Sequence, residues 1–305
     1  MSLHITAVSQ TDPGAVRDRN EDNYYVQVAP PPNDDRALLV VADGMGGYKA
    51  GDEASRIAIA TVRGAMEPLL VTNTTQPTMR LGALAEGDGE RTTVLLPETA
   101  ATEHYHGYLV EAVRKANEAI VTYGQGHRES RGLGSTITMV ITARGRAYFA
   151  NVGDSRSYIF RGGVLRSITR DHSLVARLVE AGQLDPEDVY THPKRNLIYR
   201  SLGTDREELE VDLFEEALQP GDMLLLCSDG LWEKVRSPDT TRILQNTLDL
   251  HEACRQLIAL ANANGGEDNI TLVLARVDGT VDLVPTVVLA ADIAEADTGE
   301  ITAHG

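Results

Sequence analysis

Six acids stand where they could do chemistry together: Glu21, Asp22, Asp43, Asp154, Asp229 and Asp268. Three of them end apolar runs. Val40-Val41-Ala42-Asp43-Gly44-Met45-Gly46-Gly47 breaks from a buried-strand pattern onto one acid and then glycines, where missing Cβ atoms leave room for close approach to the backbone. Leu224-Leu225-Leu226-Cys227-Ser228-Asp229-Gly230 repeats the construction, and Phe149-Ala150-Asn151-Val152-Gly153-Asp154-Ser155-Arg156 is a third variant. Asp268, in Gly266-Glu267-Asp268-Asn269, opens a strand instead of closing one. A lone Asp-Gly is an ordinary turn; the repetition is what singles these acids out.

Carboxylates cannot share a small site unless cations neutralise them. Oxygen donors without thiolates or clustered imidazoles suit Mg²⁺ or Mn²⁺ better than zinc or copper. Two such ions, about 3.5–4 Å apart and sharing a carboxylate and a bridging water, hydrolyse phosphate esters. Arg17, close in sequence to Glu21 and Asp22, offers a planar fork that matches a phosphate dianion. Its i,i+4 spacing to Glu21 equally suits a surface ion pair.

The elements that must position these acids follow from the pattern of apolar residues. Strands are expected at 3–11, 24–28 and 37–42, with the Pro30-Pro31-Pro32 loop between the second and third. Ala54, Ile57, Ala58, Thr61, Val62 and Ala65 repeat at helical spacing, as do Leu109, Ala112, Val113, Ala116, Ile120 and Tyr123. Residues 69–105 between them show no period and read as an insertion or loop. Short strands joined by Arg144-Gly145 and Gly162-Gly163 follow at 137–142, 146–152, 157–160 and 164–168. Turns this short join antiparallel neighbours. Asp171 is expected as the N-cap of a helix over 174–181. An irregular stretch at 182–205, strands at 209–214 and 223–227, helices at 240–248 and 251–262, and a closing strand at 270–277 complete the chain. An acidic tail at 279–305 is expected to be loosely attached. Helices do not alternate with strands, so two packed antiparallel sheets with helix pairs outside are expected, of class α+β.

Composition narrows the partners. A formal charge of −17, from 28 basic and 45 acidic residues, argues against nucleic acid and anionic membranes. Two cysteines make no disulfide framework and no zinc pattern, and the first residues lack a basic start followed by an apolar run. No apolar segment is long enough to span a bilayer. The expectation is a cytoplasmic monomer.

Val16-Arg17 with Asn20-Glu21-Asp22, then Val41 to Gly47, Gly134-Ser135-Thr136, Val152 to Arg156, Cys227 to Trp232 and Asp268-Asn269-Ile270-Thr271 occur in this order. Together they resemble the metal-dependent serine/threonine protein phosphatases of type 2C, in their bacterial form, over roughly residues 1–278. The resemblance implies a four-layer α-β-β-α sandwich that hydrolyses phosphoserine and phosphothreonine with a water activated by two Mn²⁺ or Mg²⁺ ions. It implies that Asp43 bridges both ions and the Gly44 carbonyl binds the first. Asp229 and Asp268 would hold the second, with Glu21 and Asp22 ordering waters and Arg17 gripping the phosphate. A third ion would fall to Asp154, with or without Asp229. The segment from about 171 to 205 would be a flap near the site. Phosphorylated proteins, an autophosphorylated bacterial serine/threonine kinase among them, would be the substrates.

One position departs from the family's eukaryotic members, which have histidine where this chain has Met45; methionine cannot donate a proton. Bacterial members commonly share this methionine. The general acid is thereby left open: a metal-bound water is one candidate, and His172 and His192 are others if the flap brings them near. The other histidines, like Trp232 and Cys227, read as ordinary surface or core residues. The rival function is a non-catalytic phosphoprotein-binding module on the same fold, against which the full set of acids counts.

Overall fold

The apolar run that delivers Asp43 is buried on both faces, and this sets the layering. Strand β3 (Ala37–Met45) has a side-chain period of two. Ala37, Leu39 and Val41 point one way, into a core shared with Val140, Phe149, Leu224, Leu226, Val273 and Ala275. Leu38, Val40 and Ala42 point the other way, onto Ala54, Ala58, Val62, Leu109, Val113 and Ile120 of two helices. A strand covered by a sheet on one face and helices on the other has no polar side, hence the unbroken hydrophobicity of its sequence.

The computed structural model describes residues 2–46, 50–71, 98–127, 132–204 and 209–280. The remaining elements, in chain order, are β1 (Ser2–Asp12), β2 (Asp22–Val28), then after β3 α1 (Ala50–Met66), α2 (Pro68–Val71) and α3 (Glu98–Gly126). Next come β4 (Gly134–Ser135), β5 (Ile137–Ala143), β6 (Arg146–Val152), β7 (Arg156–Arg161) and β8 (Val164–Ser167). The chain continues through α4 (Leu174–Glu180), a 3₁₀ turn (Pro186–Tyr190), β9 (Asp212–Ala217) and β10 (Met223–Cys227). It closes with α5 (Asp229–Trp232), α6 (Ser237–Asn246), α7 (Leu250–Ala263) and β11 (Ile270–Thr280).

One sheet runs β1-β11-β10-β7-β8 and the other β2-β3-β5-β6-β9, with β4 continuing alongside β3. Neighbouring strands pair antiparallel in both sheets. Helices α1 and α3 cover the second sheet. Ala253, Cys254, Leu257 and Ala261 of α7, with Ile243 and Leu244 of α6, cover Leu225, Cys227, Leu272 and Leu274 of the first. The four layers are those expected. Among the described residues no helix is long and apolar enough to cross a membrane.

Several boundaries differ from the sequence expectation. Residues 69–71 lie in α2 and α3 begins at Glu98, so both ends of the expected 69–105 insertion are helical; residues 72–97 lie outside the described residues. The strand expected from Leu209 begins at Asp212, because Leu209 instead turns into the core beneath the helices. Strand β11 extends to Thr280, where register with β1 pairs Gly279 with Leu3, so the expected tail starts two residues later than its composition suggests. Its remainder, from 281, lies outside the described residues. Ser173, not Asp171, caps α4: its side chain accepts from the Ala176 N–H. Asp171 is drawn instead into a two-pronged ion pair with Arg156, at 2.9 and 2.7 Å.

Candidate active site

Register brings the first two carboxylates together. In the β2–β3 ladder Asp22 lies directly opposite Asp43, and side chains opposite one another in an antiparallel pair share a face within about 5.5 Å at Cβ. From the other sheet, Ser228 at the end of β10 donates through Oγ to Asp22 Oδ2 at 2.7 Å. Ser228 is the N-cap of α5 but makes no side-chain cap bond; its hydroxyl is spent on joining the two sheets. Asp229, the next residue, is thereby set at the same edge. Asp268 precedes β11, the strand paired with β10, and Gly230 packs directly against the Asn269 carbonyl.

Asp43 is fixed by its backbone. Its N–H donates to Thr136 Oγ1 at 3.0 Å, and its carbonyl accepts from the Thr136 N–H at 2.8 Å and Ser135 Oγ at 3.0 Å. Gly44 has no room for a side chain: a Cβ there would lie 2.1 Å from the Gly51 carbonyl oxygen and 2.5 Å from that of Glu21. A Cβ on Gly51 would lie 2.7 Å from Glu21 Oε2 and 2.8 Å from the Gly44 oxygen. The two glycines therefore let the Glu21 carboxylate and the Gly44 carbonyl share one cradle. Residues 47–49 between them lie outside the described residues.

The electrostatics are those of crowded like charges. Burial, then Asp22 and Asp229, holds the Asp43 carboxyl well above the usual carboxylate range. Burial, then Asp154 and Asp268, does the same to Asp229. Asp22 is pushed up to about 6, mainly by burial. Asp154 is pushed up to about 7 by burial and then by Asp171. Glu21 is raised by burial and partly offset by Arg17. Asp22 is 6% exposed, and its Oδ1 is buried without a hydrogen-bond partner. A buried carboxylate oxygen left in that state costs free energy unless something outside the side-chain network engages it.

These features fit a hard cation: oxygen donors, an orphaned buried carboxylate oxygen, and a backbone carbonyl in a cradle that a Cβ would fill. No three His, Cys, Asp or Glu among the described residues form a ready cage around a single ion. Ions of the Mg²⁺ type keep several waters and need only one or two carboxylates each, so dispersed acids remain compatible with them.

Arg17 lies at the rim, half exposed, and donates to Asp268 Oδ2 at 2.7 Å. Its partner is thus Asp268, where the i,i+4 spacing pointed to Glu21. Neither candidate histidine reaches the acids as a donor. His192 is on the exposed loop, its Nδ1 accepting from the Lys194 N–H. His172, the other candidate, is only 2% exposed, and both ring nitrogens are committed to other partners. Trp232 is core, as expected, and also donates through Nε1 to the Asp154 carbonyl at 3.0 Å.

Three supporting residues carried no role in the sequence reading. Asn269 accepts from the Glu21 N–H at 2.8 Å and donates to the Pro13 and Arg19 carbonyls, fastening the loop that carries Arg17. Ser55 Oγ donates to the Glu21 carbonyl at 2.5 Å. Thr136 Oγ1 lies 2.7 Å from Ser155 Oγ, tying the Asp154 turn to the Asp43 strand end. Gly134-Ser135-Thr136 and Asp268-Asn269 stood out as motif residues. Only the fold shows that they are fasteners.

The protein phosphatase 2C family profile matches residues 18–270, most of the chain and all but Arg17 of the site just described. The chain belongs to the protein phosphatase 2C family. It is 36% identical over 271 residues to the serine/threonine phosphatase stp of Listeria monocytogenes serotype 4b (strain F2365), spanning 89% of this chain and 95% of that one. It is 33% identical to the protein phosphatase PhpP of Streptococcus pneumoniae (strain D39), over 88% and 96% of the two chains. Among solved structures, the serine/threonine phosphatase Stp1 from Staphylococcus aureus superposes with a TM-score of 0.74 at 32% identity, covering 92% of this chain and 98% of that one. The catalytic domain of the phosphatase PstP, in complex with two manganese ions, does so with a TM-score of 0.69 at 33% identity, over 91% and 100%. The chain is a catalytic serine/threonine protein phosphatase, a metal-dependent hydrolase; the non-catalytic reading is not favoured.

Proposed function

We propose that this chain removes phosphate from phosphoserine and phosphothreonine of proteins at the sheet edge formed by Asp22, Asp43, Asp154, Asp229 and Asp268, using two ions, Mn²⁺ or Mg²⁺. The observation that carries this is the pairing of Asp22 with Asp43 across β2 and β3, with Asp22 Oδ1 buried and unengaged. Asp43, Asp229, Asp268 and the Gly44 carbonyl would hold the ions, and Asp154 a third. When bound, such ions neutralise the carboxylates and activate a water for attack on phosphorus. The rest falls to the chain's own groups. Asp22, pinned by Ser228, offers Oδ1 as an acceptor that orients a water. Glu21 accepts from the Gly44 N–H through its own carbonyl at 3.2 Å, and its carboxylate, in the same cradle as the Gly44 carbonyl, would order a water. Arg17 is long enough, and exposed enough, to turn its fork from Asp268 to a substrate phosphate.

The residues from 171 to 204 would be the flap beside this edge. Arg195 reaches from it to Glu233 at 3.1 Å, and Leu202 bridges to Ser135 beside Gly44. The substrates we infer are phosphorylated proteins, with a serine/threonine kinase's own phosphothreonine among them; a phosphoprotein panel separates that case.

The test is phosphate release from a phosphothreonine peptide with Mn²⁺, with Mg²⁺ and with excess chelator. Release that chelator abolishes, and that Asp43→Asn lowers by at least about 100-fold (~2.7 kcal/mol), is expected. Unchanged turnover in D43N would overturn the assignment. Arg17→Ala is expected to lower kcat/KM about 10- to 100-fold, as loss of a charge-assisted contact does.

A further inference from the structure

We propose that His172 is a positioning residue for Asp154, holding the peptide that precedes this acid and thereby coupling the 171–204 segment to the site. The inference rests on Asp154 being a metal ligand.

Gly153 is the hinge of the argument. Its φ of +111° is one that side chains rarely adopt, and a Cβ there would lie 2.6 Å from Thr136 Cβ. The turn therefore has no side chain of its own at this point, and its orientation is imposed from outside. His172 imposes it twice: ring Nδ1 accepts from the Gly153 N–H at 3.0 Å, and the His172 N–H donates to the Gly153 carbonyl at 2.9 Å. Both sides of one glycine are gripped by one histidine, and Asp154 is the next residue.

The ring's far side meets both an acceptor and a donor. With Nδ1 committed to a backbone donor, the single ring proton of the neutral form sits on Nε2, facing Asp212 Oδ2 at 3.2 Å. Arg200 Nη1, itself a donor and 2.9 Å from Nε2, competes with that proton, and Asp212 Oδ1 draws it off by accepting from it at 2.7 Å; the other branch of Arg200 reaches Glu210. Burial first, then Arg200, lowers the ring's affinity for a second proton, which would destroy the acceptor. The segment then returns on itself: the Tyr199 N–H donates to the His172 carbonyl and Ser173 bridges to Ile198. Displacement of the flap is thereby transmitted to the Gly153 peptide. A histidine that only filled space would need neither the acceptor nor the Asp212 partner.

The substitutions that separate these roles differ in where they place an oxygen. In His172→Asn the amide Oδ1 is a short reach that imitates Nδ1; in His172→Gln the longer amide reaches to where Nε2 stands. The experiment uses the full chain, with circular dichroism to verify folding, and reads Mn²⁺ binding by calorimetry beside peptide hydrolysis. H172Q is expected to weaken the weakest Mn²⁺ step about 10- to 100-fold, as loss of a ligand's hydrogen-bonded support does. It should lower kcat with little change in KM. H172N is expected to recover that step to within about threefold. D154N should remove it. Folded H172Q that binds Mn²⁺ as the parent does, or H172N and H172Q impaired equally, overturns the inference while leaving the hydrolase reading intact. An unchanged isotherm in D154N overturns the ligand assignment and the inference with it. Should H172Q fail to fold, Asp212→Asn probes the same ring from its other side: weakening of that Mn²⁺ step supports the coupling, and an unchanged isotherm overturns it.

Discussion

Replacing Asp22 by asparagine should stabilise this protein when metal is withheld. The carboxyl is 6% exposed, faces Asp43 across the ladder, and has one oxygen held by Ser228 and one held by nothing. Burial moves it from 3.8 to about 6. At about 1.4 kcal/mol for each decade, the ionised side chain costs the folded state about 3 kcal/mol. The sign follows from proton affinity: the folded form binds this proton more tightly than the unfolded chain does. Stability is therefore whole below 3.8, falls as pH rises through the interval to about 6, and stays low above it. Asparagine keeps the acceptor for Ser228, offers N–H donors towards Asp43, and carries no charge. In excess chelator at pH 7.5, D22N should gain about 3 kcal/mol, or roughly 6–12 °C in Tm for a domain of this size. At pH 4.5 the gain should shrink to about 1 kcal/mol. Because Asp43 and Asp229 titrate in the same region, the quantity to read is the difference between D22N and parent at each pH, from urea midpoints. No gain at pH 7.5, or an equal gain at pH 4.5, would refute the reasoning. In excess Mn²⁺ the order should reverse, since the acid then has a counter-charge that the amide lacks.

Other outcomes follow from the same geometry. Gly51→Ala should lower kcat at least about tenfold and stability by about 1–3 kcal/mol, because its Cβ meets both Glu21 and the Gly44 carbonyl; Gly64→Ala, on the same helix with nothing within 4 Å, should be neutral or gain up to about 1 kcal/mol. Arg156→Met should cost about 3–5 kcal/mol in urea unfolding, since it strands the nearly buried Asp171 and removes the guanidinium lying 3.5 Å over Trp232. Burial pushes both Cys227 and Cys254 up to about 12, so neither should react with a thiol reagent at pH 8 until the chain unfolds, when both should.

How far the sequence discloses this molecule depends on whether a signal is local. Strand β3 was legible because burial on both faces leaves an apolar run, and α1 and α7 because one buried face leaves a helical period. The acids were legible because each ends or opens such an element. What stayed hidden was set by distant partners. Asp171 looks like a cap beside α4; only the fold brings Arg156 to it from the start of β7. Leu209 looks like strand, but its burial under the helices is a tertiary choice. Arg17 has an acid four residues on and pairs instead with Asp268, 251 residues away. His172 reads as one scattered histidine among eight, because Gly153, Arg200 and Asp212 meet it from three separate stretches.

The same distant pairings explain why the site calls for cations from outside. Basic side chains do surround the acidic edge, but the fold has already assigned them. Arg156 is taken by Asp171, Arg195 by Glu233, Lys234 by Glu267 and Arg200 by Asp212. None of these partners is Asp22, Asp43, Asp154 or Asp229. Among the described residues only Arg17 pairs with one of the five aspartates, and it does so from the rim, about half exposed, where screening leaves little stabilisation. A fold that merely tolerated its acids would have turned Arg156 or Arg195 inward. This one binds each of those cations to a separate carboxylate and leaves the aspartates of the edge to raise one another's proton affinity. The charge that stabilises the edge must then be supplied in solution, and metal binding becomes part of the protein's stability as much as of its chemistry.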